Sequence, residues 1–172
     1  MIPKIKRILY TTDLSPNSGY VLRYAEDLAE KYGARLIVLH VVEAMWSTDK
    51  MLVGPFLDDE KLANISEEKM AYAKARILKR FQFLGKKALG RTPDAIPSID
   101  SIEVVEGYPA DEILAKADAF DCDAIVMGTH GKGFLQYAYF GSTSKKVLRR
   151  ARKPIFIIPL PMGETDVTVH DR

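Results

Sequence analysis

Gly128, Gly131 and Gly141, together with the run Ser142-Thr143-Ser144, are the residues of this chain best suited to chemistry, and that chemistry is anion binding. They lie between an apolar run, Ala124-Ile125-Val126-Met127, and a helical pattern that opens at Ser142. The first backbone N–H groups of a helix have no internal partners, and the helix dipole adds partial positive charge at that end. A phosphate set there accepts several N–H bonds at once. Glycines in the loop carry no side chain to hold a phosphate or ribose away, and the hydroxyls stand on the first helical turn.

Two common glycine motifs do not fit. A P-loop needs Gly-x4-Gly-Lys-[Ser/Thr]. Gly128 and Gly133 have the glycine spacing, but Phe134 and Leu135 stand where the Lys and hydroxyl belong. A dinucleotide fingerprint needs G-x-G-x-x-G after the first strand. Here Gly131 and Gly133 are followed by Gln136, and the loop comes after a later strand. The pattern that does fit is Gly-x2-Gly-x9-Gly-[Ser/Thr], at Gly128, Gly131, Gly141 and Ser142. It reads as a mononucleotide cradle.

The elements that must position this cradle can be read along the chain. Ile5 to Tyr10 is a first strand, ending at Thr11-Thr12-Asp13. Ser15-Pro16 reads as an N-cap with proline in the first helical position. Val21, Leu22, Ala25, Leu28, Ala29 and Tyr32 then make one apolar helix face, stopped at Gly33. Residues 36–42 are almost continuously apolar, as in a parallel strand covered on both faces. Residues 43–59 lose the periodicity. A long helix follows over about 60–88, with a stripe of Leu62, Ile65, Met70, Ala73, Ile77, Phe81 and Leu84.

Ser101 to Val105 is a third strand. A helix starts at Gly107-Tyr108-Pro109 and buries Ile113, Leu114 and Ala117. Residues 124–127 form the fourth strand, 142–152 a helix burying Val147, Leu148 and Ala151, and 154–160 the fifth strand. Strict β-α alternation predicts one open five-stranded parallel sheet with helices on both faces. Ligands of such sheets bind beyond the carboxyl ends of the strands, where strand order reverses. The lips of that crevice are expected at Thr11, Thr12 and Asp13 and at Gly128 to Gly131. One domain is expected over 1–160, with a variable insertion at about 43–66 and a polar tail at 161–172.

At these residues the chain resembles the universal stress protein family, in its ATP-binding branch. Residues 8–15, Ile-Leu-Tyr-Thr-Thr-Asp-Leu-Ser, look like the family's opening strand and acidic turn. Leu39-His40-Val41-Val42 resembles its second strand, and residues 107–113, Gly-Tyr-Pro-Ala-Asp-Glu-Ile, the start of its third helix. Residues 125–131 and 154–159 are similar to its fourth and fifth strands. The resemblance implies a Rossmann-like fold of the adenine nucleotide alpha-hydrolase type, binding ATP or AMP. It implies that Asp13 approaches the ribose or a Mg²⁺ held by the phosphates, and that Val41 meets adenine through its backbone. Met127 and Gly128 would line the ribose and first phosphate. Gly131, Gly141, Ser142, Thr143 and Ser144 would cradle the phosphates, with His130 in the same loop. The chain departs from the pattern between Glu43 and about Ile65, and at Thr11, where some members carry proline.

The remaining features narrow the function further. The chain has 172 residues and a net charge of +2, too near neutral to imply a nucleic-acid or membrane partner. No apolar run reaches the ~18 residues of a membrane span, and no signal peptide is seen, so a cytoplasmic protein is expected. Cys122 is the single cysteine and reads as inert packing. His130 has no Ser, Cys or Asp arranged around it as a triad, so catalysis is not assigned to it. The basic run from Lys145 to Lys153 offsets a helix dipole and reads as a solvated face, not a nucleic-acid contact. An apolar fifth strand at a sheet edge needs its backbone groups covered. Pairing with the same strand of a second copy satisfies them symmetrically, and the family resemblance implies such a homodimer, through Pro154 to Leu160. The leading expectation is a nucleotide-binding stress or signalling protein in which the ligand sets conformation. The competing ones are a slow ATPase or nucleotidyl-transfer enzyme on the same fold, and a protein-binding module working through the insertion and Trp46.

Overall fold

The computed structural model describes residues 4–44, 59–88, 98–129 and 140–169. The insertion with Trp46, and the loop with His130 and Gly131, lie outside the described residues. In chain order the elements are β1 (Arg7–Thr11), α1 (Ser18–Tyr32), β2 (Arg35–Glu43), α2 (Asp59–Ala88), β3 (Ile99–Gly107), α3 (Pro109–Ala119), β4 (Ala124–Gly128), α4 (Ser142–Arg150) and β5 (Ile155–Ile158). All five strands are parallel, in the order β3-β2-β1-β4-β5. The predicted fold class is therefore correct. The reversal falls between β1 and β4, because the chain builds outward from β1 to β3 and then crosses back to lay β4 on the other side of β1.

Strand alternation divides the core in two. Ile8, Tyr10, Leu36, Val38 and Val126 point to the side covered by α1 and α2, where they meet Val21, Leu22, Ala25, Ala73 and Ile77. Leu9, Ile37, Leu39, Ile125 and Met127 point to the other side, against Ala110, Ile113 and Ala117 of α3 and Val147 of α4. Helices cover both faces of β1, so its run of apolar residues is buried on both sides.

Several local readings need correction. Ser15 is not the cap of α1; the helix starts at Ser18 with Asn17 at the cap position. The Asn17 side chain makes no cap bond and turns instead to the end of the chain. The spacing places Leu148 inside, yet it is 44% exposed, because α4 ends at Arg150 and its narrow apolar stripe is filled by Val147. Residues 59–66, which fall within the expected insertion, are the first turns of α2, starting within one residue of the helix predicted from about Glu60. Of the α2 stripe, Ala73 and Ile77 are fully inside, Ile65 and Met70 are half-buried, and Leu62 lies on the same half-buried flank. The side chains of Phe81 and Leu84 lie outside the described ones.

The expected polar tail beyond residue 160 folds back onto the domain. Val167 is fully buried in the α1/α2 core. Asn17 donates to the carbonyls of Pro161 and Gly163 (both 3.3 Å), and Thr168 Oγ1 donates to Asn17 Oδ1 (2.7 Å). The Val169 N–H donates to Pro16 O (3.0 Å), and Arg23 pairs with Asp166. The segment is polar in sequence because its side chains cap and staple, with one apolar plug.

A single carboxylate ties the amino ends of the two central strands. Asp123 Oδ2 accepts the N–H groups of Lys6 (2.7 Å) and Arg7 (2.9 Å). These bonds hold its pKa below the usual carboxylate value, with the Lys153 and Lys6 charges adding to the effect. A carboxyl group depressed by folding stabilises above its unfolded pKa, and that stabilisation is lost as pH falls through the folded value. Asp123→Asn is therefore expected to destabilise at about pH 6. Its deficit against the unsubstituted chain should shrink as pH falls from the ordinary carboxylate range through the lowered folded value, below which Asp123 is protonated in both states. Urea titrations across that range measure it; a constant deficit would show that these bonds do not discriminate the ionised form.

Candidate functional site

The turn from β1 into α1 presents Asp13 through an unusual backbone. Leu14 has φ +58°, the left-handed region that a bulky side chain enters at a cost of about 1–2 kcal/mol. Side chains of the same turn hold it there. Thr12 Oγ1 accepts the Leu14 N–H (3.2 Å), and Asp13 Oδ1 accepts the Ser15 N–H (3.0 Å). Leu14 itself is buried and anchors the turn. One Asp13 oxygen is thus used to shape the loop. The other, Oδ2, is buried and has no hydrogen-bond partner among the described residues. A bare buried carboxylate oxygen costs free energy unless something else donates to it.

On the neighbouring strand end, β4 gives way to the loop before α4. The Gly141 N–H donates to Thr129 O (2.8 Å), and the Thr129 N–H donates to Ile158 O (3.0 Å), so the loop's exit is tied back to β4 and β5. Gly141 stands at the cap position of α4 with φ −67° and ψ 161°, and among the described residues no side chain caps the helix. The first turn, Ser142 to Ser144, contains no acidic residue. Ser144 is buried, and its hydroxyl donates to Gly128 O (3.1 Å). It therefore bolts helix to strand. Ser142 is exposed and Thr143 half-buried. A Cβ built on Gly128 would sit 3.3 Å from Val21 Cγ2, so the absence of a side chain there serves packing under the crevice.

β2 supplies a third wall. Its ladder with β1 ends where Leu39 O accepts the Thr12 N–H (2.9 Å). Two residues on, alternation turns the backbone polar groups of Val41 to the same side, beyond the point where β1 has left the sheet. Met127 is buried and its side chain belongs to the α3/α4 core, so its backbone is what can meet a ligand. Thr11, Thr12 and Asp13 are half-buried along the lip. Position 11 completes the β1–β2 register opposite Leu39.

The residues missed in sequence lie beneath the loop. His40 is buried, and its Nδ1–H donates to Thr12 O (2.7 Å). Arg80 of α2, 6% exposed, donates from Nη1 to Ser15 O (2.6 Å) and Ser18 Oγ (2.7 Å). Arg76, one turn earlier, donates to Leu14 O (3.4 Å). The Tyr10 hydroxyl donates to Ser18 O (3.0 Å), and burial pushes its pKa far above the ordinary phenol range, which keeps it a neutral donor. A signal was present: Arg80 sits three residues after Ile77, on the stripe that Ala73 and Ile77 bury. Cys122, by contrast, is as inert as expected, buried and with its thiol pushed up to about 11 by desolvation.

A parallel sheet with its switch point between β1 and β4, an acid on one strand end and a glycine-led helix amino end on the other, defines a doubly wound α/β protein. The universal stress protein family model matches residues 4–159, and the chain belongs to that family. It is 30% identical to a universal stress protein of Thermus aquaticus, over 89% of this chain and 98% of that one. Universal stress protein MJ0531 of Methanocaldococcus jannaschii is 26% identical, over 92% and 85%. Among solved structures, MJ0577 of the same archaeon superposes with a TM-score of 0.70 at 23% identity, covering 94% of this chain and all of that one. A universal stress protein solved in complex with cAMP is 21% identical with a TM-score of 0.53, covering 91% and 98%. Among the described residues, no helix is long and apolar enough to cross a membrane.

Proposed function

We propose that this universal stress protein binds an adenine mononucleotide, AMP or ATP, in the crevice between β1 and β4, and uses it as a conformational ligand. The observation that carries this reading is the orphaned Asp13 Oδ2. It sits on the strand end next to an α4 amino terminus that, among the described residues, no side chain caps, and whose first turn holds no acid. A ribose hydroxyl satisfies the first, and phosphate the second. The backbone of Val41 is available to the adenine edge, and Gly131 and His130, which follow β4 in sequence, would join the phosphate cradle. The relative solved with cAMP lends the base and ribose chemistry some support. A Mg²⁺ fits the same carboxylate oxygen. No three His, Cys, Asp or Glu side chains gather into a metal site among the described residues, so phosphate oxygens would supply most of its ligands. Binding would favour whichever arrangement of the loops it contacts better. The β5 edge, flanked by Pro154 and Pro159, is the surface through which two copies would pair.

Calorimetry with AMP, ATP and cAMP, with and without Mg²⁺, tests the site. Gly141→Val is the informative variant. Its φ of −67° is open to any residue, so the helix start is retained while a branched side chain blocks the mouth. Affinity is expected to fall at least ~10-fold, or about 1.4 kcal/mol. No binding of any adenine nucleotide by the unsubstituted chain would end the proposal. A monomer mass in light scattering at micromolar concentration would remove the dimer from it.

A further inference from the structure

The long helix α2 carries a feature that neither packing nor the crevice itself explains. Arg80 occupies a core position of its stripe, where a Met or Leu would fill the space without desolvating a charge. Desolvation lowers its pKa, and the like charge of Arg76 adds to this; the Tyr10 hydroxyl and the Asp13 carboxylate work in the opposite direction. Its guanidinium takes the carbonyl of Ser15 and the hydroxyl of Ser18, which bracket the turn between Asp13 and α1. Arg76 takes the carbonyl of Leu14, the residue in the left-handed conformation. Two arginines one helical turn apart thus grip consecutive carbonyls of the loop that displays Asp13.

We infer that Arg80 is a positioning residue of the nucleotide site: its guanidinium fixes the β1–α1 turn and leaves Asp13 Oδ2 bare for the ligand. This rests on the reading of the crevice as a nucleotide site. The geometry supplies the reason for the buried charge. The turn must hold Leu14 at positive φ and at the same time leave one oxygen of Asp13 unsatisfied. Both are costly, and neither survives if the loop relaxes so that Asp13 folds onto its own backbone N–H groups. A cation anchored in a rigid helix, with two acceptors on the turn, opposes that relaxation from below. Its bonds to Ser15 O and Ser18 Oγ do not take the oxygen reserved for the ligand. Arg80 touches no ligand itself. Its effect on binding should run through Asp13.

A double-mutant cycle on AMP affinity tests this, read by calorimetry without Mg²⁺, using Asp13→Asn, Arg80→Met and their combination. Each single substitution is expected to weaken AMP binding ~10-fold. The double is expected to weaken it no more than ~20-fold, because a side chain at position 13 that has already lost its charge has little left to lose from being mispositioned. Arg80→Lys, which keeps the charge and one donor, should stay within ~3-fold of the unsubstituted chain. A purely structural strut would give the full product, ~100-fold, and that result overturns the inference, as does an Arg80→Met variant with unchanged affinity. If Arg80→Met fails to fold, the cycle is run with Arg80→Gln, where additivity has the same meaning. Absence of AMP binding in the unsubstituted chain would instead overturn the nucleotide site, and this inference with it.

Discussion

Removal of residues 161–172 is expected to lower the unfolding free energy by about 3 kcal/mol, and Val167→Asp to lower it by nearly as much. The argument starts from one side chain. Val167 is fully buried in the core that holds Leu14, Val21 and Ile158. Burying a valine contributes about 1.5–3 kcal/mol. Around it, Asn17 makes three bonds to the segment, and the Val169 N–H adds a fourth at Pro16. Each such bond contributes about 0.5–1.5 kcal/mol net, and the entropy lost on ordering the segment offsets part of the combined gain. The Arg23–Asp166 pair is exposed and adds little. An aspartate at 167 cannot enter the core charged, so the segment peels away. The substitution cannot then cost more than docking the whole segment, which is why it should match the truncation to within ~1 kcal/mol. In a domain of this size the melting temperature should fall by about 6–12 °C. Denaturant and thermal melts of both variants measure it. A truncated chain as stable as the full one would show that the segment only rests on the surface.

Leu9→Ala is expected to cost about 3–5 kcal/mol, while Leu148→Ala should stay within about 0.5 kcal/mol. Leu9 lies on the central strand, paired with β2 on one edge and β4 on the other, and it is fully buried on the α3/α4 side with Leu39, Ile125 and Val147. Neighbours on rigid strands on either side cannot collapse into the space left by the lost carbons, so the cavity term is added to the transfer term. Leu148 looks equivalent in sequence but is 44% exposed. Equal losses at the two positions, measured by urea unfolding, would contradict this account of the core.

The order of elements and the crevice are legible in the sequence because they follow from short-range pattern. Continuous apolar runs of strand length separated by 3.6-residue periodicity leave few alternatives to a covered parallel sheet. The rule that ligands sit at the switch point then singles out the ends of β1 and β4. The start of α1 is not legible, because Ser15-Pro16 satisfies the local rule for a helix start. Asn17 and its three contacts to the chain's end, far away in sequence, decide the matter instead. The burial of α4 is overestimated from its pattern because a stripe only shows which residues share a face, not how wide the facing surface is. Spacing places the Ser144 hydroxyl on the first turn of α4, but its bond to Gly128 O follows only from that helix packing over the strand end.

By itself, the sequence determined the parallel α/β sheet, the position of the crevice and the family, since periodicity and glycine spacing are properties of neighbouring residues. The tertiary structure alone decided the rest: that Leu14 is held left-handed, that Asp13 keeps a bare oxygen, that Arg76 and Arg80 reach across from α2, and that a polar segment ends in a core plug at Val167. Most of these join residues distant in the chain. Their cause is a balance of desolvation and hydrogen bonding at a point in space, which no local pattern of residue types encodes.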